Sequence, residues 1–173
     1  MTKALFLDRD GVINKRLVDA YVLRPEQFEI IPGILPIMRL AHNRGYLLIV
    51  ISNQQGVGKG LMSLADLDDV NTYMQQQLRH ADAPTIDEFY VCTDLDGMNS
   101  THRKPAPGMI LDAMRDHDID ASCSWFIGDS ITDAEAGRAA SVRTALIGEF
   151  DTEAAELVAE THEDLYGRIA NVL

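Results

Sequence analysis

Short β-rich apolar runs recur between helix-length segments along this chain, and that alternation limits its fold more than any other feature. Residues 5–7, 46–51, 86–92, 124–127 and 142–147 read as strands. Between the first two, Pro32-Gly33 opens an amphipathic pattern in which Ile34, Ile37, Met38, Leu40 and Ala41 share a face, Pro36 falls in the first turn and Gly45 marks the stop. Ser63 with Asp66 three residues on predicts an N-cap for a helix reaching about Arg79. Met109, Ile110, Ala113 and Met114 fit a helix closing near His117, and another helix runs through Ala140. Residues 153–173 read as one or two helices, while residues 15–31 and 52–60 read as loops. Strands returned by helical crossovers run in the same direction. The expected fold is therefore a three-layer α/β/α arrangement around a mainly parallel, doubly wound sheet.

Polar residues collect where the strands end. Asp8, Asp10, Ser52, Lys104 and Asp129 all fall at or just after strand carboxyl ends, the edge at which open α/β sheets bind ligands. If the backbone stays extended across Arg9, a period of two points the Asp8 and Asp10 side chains the same way before Gly11 turns the chain. Asp-Arg-Asp-Gly taken alone serves equally well as a polar turn. The Gly-Val-Gly-Lys piece at 56–59 is no P-loop, because the spacing is wrong and Gly60 stands where a Ser or Thr belongs.

Together these groups suit phosphoryl chemistry. Asp8, Asp10 and Asp129 are hard oxygen donors for magnesium, and Ser52 and Lys104 are suited to holding a phosphoryl group. Asp8 is placed to attack phosphorus and form an aspartyl-phosphate, with Asp10 as acid and then base. A phosphoacceptor module of the receiver type, which is not an enzyme, also gathers acids, a hydroxyl and a lysine at such an edge. Asp10 separates the two readings, since a receiver must keep its acyl-phosphate and a neighbouring base is equipped to destroy it.

The composition narrows the partners. A chain of 173 residues with 46% hydrophobic and 24% charged residues reads as one globular domain over 1–173. The net charge of −12 argues against nucleic-acid binding, so an anionic substrate needs a local island of cations or a metal. No apolar run approaches a bilayer span and no signal-peptide pattern opens the chain, so a cytoplasmic protein without a membrane partner is expected. Cys92 and Cys123 form no Cys-x-x-Cys pair and read as free buried thiols. The five histidines show no metal-ligand spacing and read as surface or packing residues. A monomer is expected.

In order and wording, Asp8-Arg9-Asp10-Gly11-Val12-Ile13-Asn14, Ser52-Asn53-Gln54, Arg103-Lys104-Pro105 and Gly128-Asp129-Ser130 with Asp133 resemble the four motifs of the haloacid dehalogenase superfamily of phosphohydrolases. The phrases running from Tyr21 to Phe28, from Arg103 to Met109 and from Asp133 to Gly137 are most similar to the small bisphosphate phosphatases of heptose biosynthesis, with histidinol-phosphate phosphatase a near relative. The resemblance implies a Rossmann-like core with Asp8 on a central strand, little or no cap domain, magnesium dependence and hydrolysis of a small phosphorylated metabolite, most of all a sugar bisphosphate. It also implies the roles: Asp8 nucleophile, Asp10 acid/base, Ser52 and Lys104 phosphate ligands, Asn53 and Arg103 substrate-orienting. Asp8, Asp129 and the Asp10 main-chain carbonyl would hold the metal, supported by Asp133. The chain departs from these relatives in one place, their zinc loop of cysteines and a histidine. Of residues 92–102 only Cys92 matches a ligand position, and a structural zinc needs four, so zinc is not expected.

Overall fold

The computed structural model describes residues 2–18 and 20–173. Six strands form one sheet: β1 (Lys3–Leu7), β2 (Tyr46–Asn53), β3 (Glu88–Cys92), β4 (Trp125–Gly128), β5 (Arg143–Ile147) and β6 (Leu157–Ala159). Their order is β3-β2-β1-β4-β5-β6 and every adjacent pair is parallel. The helices are α1 (Ile34–Asn43), α2 (Gln55–Gly58), α3 (Leu64–His80), α4 (Gly108–His117), α5 (Ile131–Ala139) and α6 (His162–Ile169).

Alternation within β1 shows why both faces are covered. Leu5 and Leu7 pack with Ile37 and Met38 of α1, Val70 and Met74 of α3 and Leu165 of α6. Ala4 and Phe6 point the other way, into a second core with Ile110 and Ala113 of α4 and Ala136 of α5. The chain leaves β1 towards β2 and β3 but leaves β4 towards β5 and β6, so the order reverses between β1 and β4. That reversal opens the crevice in which Asp8 and Asp129 meet.

Several boundaries differ from the sequence reading. β2 runs on to Asn53, which puts Ser52 and Asn53 inside the strand, paired with Val91 and Cys92 of β3. The expected 52–60 loop contains the single-turn helix α2. In the tail, the expectation of helices alone is corrected by β6, where Leu157, Val158 and Ala159 extend the sheet against β5. Three residues are too few to show a period of two, and sheet pairing rather than pattern decides them. Among the described residues of the 15–31 loop are a 3-10 turn at Pro25–Gln27 and a β-bridge from Ile30 to Asn14; Asp19 lies outside the described residues. Cys92 is buried, but Cys123 is exposed, because it ends the 3-10 turn Ala121–Cys123 on the surface.

His162 is a packing residue with a specific bond. Its Nε2 lies 2.8 Å from the carbonyl oxygen of Val12, so the start of α6 is tied to the loop that follows β1. Burial lowers its pKa below the ordinary value, outweighing the Val12 carbonyl and Glu163, which favour the charged ring. In the unfolded chain this ring takes up its proton first as pH falls, so stability is lost on going down through about pH 6.5. His162→Gln is expected to remove that increment: the drop in Tm between pH 7.5 and 5.5 should be smaller than in the unaltered chain. An equal drop in both proteins would show that His162 does not titrate differently on folding.

Candidate active site

The crevice holds four carboxylates, each paired with one of three cations: Asp8 and Asp133 with Lys104, Asp10 with Arg9, Asp129 with Arg16. Asp8 extends the β1 ladder by one bond, its N–H donating to the Ile127 carbonyl at 2.9 Å, and its carboxylate is then capped by the Arg9 N–H at 2.8 Å. Lys104 enters from the far side of the crevice, on the loop before α4. Its ammonium lies 2.9 Å from Asp8 Oδ1 and 2.6 Å from Asp133 Oδ1, and donates to the Ile51 carbonyl at 3.0 Å. All three side chains are almost fully buried. Burial pushes the Asp8 carboxyl up to about 6, with Lys104 opposing and Asp133 and Asp10 adding repulsion. Burial alone would lower the Lys104 ammonium, but Asp8 and Asp133 hold it above the ordinary lysine value.

Asp10 has a different environment. Arg9 Nη2 donates to its Oδ2 at 3.0 Å, Gln54 Nε2 to the same oxygen at 3.0 Å, and Asn14 Nδ2 to Oδ1 at 2.9 Å. Burial opposes the charged form, yet Arg9 and these amides keep the Asp10 carboxyl below the usual range. Two acids separated by one residue are therefore driven in opposite directions by their surroundings.

α5 supplies the third acid. Its first turn folds back on itself: Asp133 Oδ2 accepts from the Asp129 N–H at 3.1 Å, the Ser130 N–H at 3.0 Å and the Ser130 hydroxyl at 2.6 Å. Asp129 is thereby aimed towards Gly11. A Cβ at Gly11 would run into the Asp129 carboxylate, and one at Gly128 into Asp133, so both glycines are required by close approach; Gly11 also has φ of +97°. Burial and the nearby Asp8 raise the Asp129 carboxyl to about 7, with Arg16 pulling the other way.

Asp8, Asp129 and Asp133 each offer an oxygen within 4.8 Å of one another. An all-oxygen set carrying more negative than positive charge fits a hard divalent cation. The Asp10 side chain stands outside this group, turned to Arg9, Asn14 and Gln54, while its carbonyl oxygen faces Arg16 at 3.4 Å.

The remaining expected residues also gather here, with particular partners. Asn53 uses both ends of its amide on the backbone of Lys104, at 3.0 and 3.1 Å, so it clamps the lysine loop to β2. Ser52 is buried, does not line the cavity, and accepts from Gln54 at 2.8 Å. Arg103 lines the cavity and reaches the Asp94 carbonyl at 3.3 Å. The cavity itself, about 360 Å³, is bordered by Asp8, Asp10, Arg16, Tyr21, Asn53, Arg103 and Lys104 among others. Tyr21 thus borders the opening, with Lys59 donating to its hydroxyl at 2.8 Å. Arg9, Asn14, Arg16 and Gln54 are site members to which the sequence reading gave no role. Three of them lie inside the quoted motifs, and the signal for Arg9 is its position between two carboxylates at a buried strand end.

The chain is similar to known proteins in sequence and in fold. A HAD-hydrolase-like family model matches residues 101–169. D-glycero-β-D-manno-heptose-1,7-bisphosphate 7-phosphatase of Helicobacter pylori is 38% identical over 145 residues, 84% of this chain and 83% of that protein. D-glycero-α-D-manno-heptose-1,7-bisphosphate 7-phosphatase of Campylobacter jejuni is 40% identical over 146 residues, 84% and 82% of the two chains. The crystal structure of D,D-heptose 1,7-bisphosphate phosphatase from B. bronchiseptica, complexed with magnesium and phosphate, superposes with a TM-score of 0.86 at 26% identity, covering 98% of this chain and 99% of that one. With likeness of this extent in both sequence and fold, the chain belongs to the HAD-like phosphatases and is a phosphoric monoester hydrolase.

Proposed function

We propose that the enzyme removes one phosphate from a sugar bisphosphate of the D-glycero-D-manno-heptose 1,7-bisphosphate type, with Asp8 as nucleophile and magnesium as cofactor. The observation that carries the chemistry is the convergence in one crevice of Lys104, 2.9 Å from Asp8, with oxygens of Asp8, Asp129 and Asp133 that lie within 4.8 Å of one another. The substrate class follows from the relatives, whose names specify heptose bisphosphates of both anomers. Action on a small metabolite rather than on nucleic acid accords with a charge of −12, and no described helix is long and apolar enough to cross a bilayer.

In this reading Asp8 attacks phosphorus as the ester P–O bond breaks, and Asp10 gives its proton to the departing alkoxide. Water then attacks the aspartyl-phosphate, Asp10 takes a proton from it, and the P–O bond to Asp8 breaks to release phosphate. Asp10 begins well stabilised as a carboxylate, so an arriving anionic phosphate beside it is what favours the proton it must donate. Lys104 neutralises the phosphoryl oxygens, Arg103 adds to the polar lining, the Ser52 hydroxyl is carried over from the family as a phosphate ligand, and Asn53 fixes the Lys104 backbone. Asp8, Asp129 and the Asp10 carbonyl would hold magnesium, with Asp133 orienting Asp129; the bound ion supplies positive charge to the transferring group. Zinc has no part in this scheme: Cys92 lies beside Ser100, and the His102 ring is engaged by Asp112 at 2.8 Å.

The test is a comparison of kcat/KM for heptose bisphosphates, histidinol phosphate and other small phosphomonoesters. A heptose bisphosphate is expected to lead by at least about tenfold, the worth of one charge-assisted contact to a second phosphate. Equal rates across the panel would overturn the substrate assignment. Asp10→Asn is expected to slow turnover about 10²- to 10⁴-fold while magnesium affinity holds. A loss of affinity as large as that of Asp129→Asn would contradict its role in proton transfer.

A further inference from the structure

Four side-chain cations reach the cavity or the acids behind it, and three have fixed duties. Arg9 is committed to Asp10, Gln54 and Asn71. Lys104 is committed to Asp8 and Asp133, and Arg103 to the loop at Asp94 and Asp96. Arg16 differs. Its Nη2 donates to Asp129 Oδ1 at 2.9 Å and lies 3.4 Å from the Asp10 carbonyl oxygen, the same two residues assigned above to the metal.

We infer that Arg16 couples metal binding to phosphate binding: guanidinium and divalent cation compete for Asp129 Oδ1 and the Asp10 carbonyl, and the displaced guanidinium pairs with the phosphate. The inference rests on Asp129 and the Asp10 carbonyl being metal ligands. Two positive groups cannot both hold those oxygens without strong repulsion. The Arg16 side chain is 53% exposed, so its pairing is one that exchanges at small cost. Its neighbours allow the movement. Asn14 is held to Ile30 by a β-bridge and Lys15 to Glu29 by an ion pair, whereas residues 16 and 17 belong to no helix or strand and Arg16 is free to reorient without disturbing the sheet. Asp129, by contrast, is hemmed in by Gly11 and must accept whichever cation comes to it. Metal alone therefore binds against the cost of expelling Arg16, and phosphate offsets that cost by giving the guanidinium an anion.

Calorimetric titration of the full chain with magnesium, with and without inorganic phosphate, tests this on the unaltered protein, Arg16→Gln, Arg16→Lys and Asp129→Asn. Arg16→Gln is expected to bind magnesium about fivefold more tightly without phosphate, and to gain less from added phosphate than the unaltered protein does. Arg16→Lys, whose compact ammonium serves one oxygen rather than two, should fall between. Unchanged or weaker magnesium binding in Arg16→Gln, or an undiminished gain from phosphate, overturns the inference. Asp129→Asn separates the two levels: if it binds magnesium as well as the unaltered chain, the metal assignment fails. If it loses magnesium while Arg16→Gln is unmoved, only the coupling fails.

Discussion

Asp8→Asn is expected to lower kcat by roughly four orders of magnitude or more, because loss of a covalent nucleophile leaves only binding and electrostatic stabilisation. The fold should not suffer. Asn keeps an oxygen to accept from the Arg9 N–H and Lys104, at present 2.8 and 2.9 Å away. It also removes one negative charge from the group of Asp8, Asp129 and Asp133, which is balanced by the buried Lys104 and the half-exposed Arg16. Without magnesium, Tm at pH 8 should therefore match or exceed that of the unaltered chain, the usual exchange of stability for activity at a strained site. Activity within tenfold of the original would dismiss Asp8 as nucleophile. A large fall in Tm would mean that its carboxylate is structural.

The sequence alone was enough to place most of these residues at one edge, for a physical reason. A parallel sheet brings every strand's carboxyl end to one edge, so residues as remote as Asp8, Ser52 and Asp129 are neighbours once the alternation of strands and helices is recognised. Side-chain commitments were less legible. Asn53 follows Ser52 in a motif linked to substrate, yet both ends of its amide hold Lys104 in place. Arg9 is 1% exposed although flanked by charges, a state that depends on Asn71 of α3 and Gln54 arriving from distant parts of the chain. β6 escaped detection because pairing with β5, not local pattern, makes three residues a strand. Patterns of period reveal backbone direction, whereas the partner of a buried polar group is a tertiary fact.

Lys104→Met carries the second large effect, and it acts on stability and activity through the same contacts. Its ammonium is the shared partner of two carboxylates that are themselves buried, Asp8 and Asp133. Removing it leaves like charges facing each other without water, a cost of about 3–5 kcal/mol at neutral pH, or a fall in Tm of about 10 °C. In the proposed reaction the transferring phosphoryl group loses the Lys104 charge as well, so kcat should fall by at least about a hundredfold. The two effects can be separated. In Lys104→Met with Asp133→Asn, one of the stranded charges is gone, so much of the lost stability should return while activity stays low. Independent losses from the two substitutions would break the argument, because additivity is what residues without a shared contact show. Recovery of Tm without recovery of rate would place Lys104 at the junction of fold and chemistry, holding the acids together until the substrate's phosphate takes its charge.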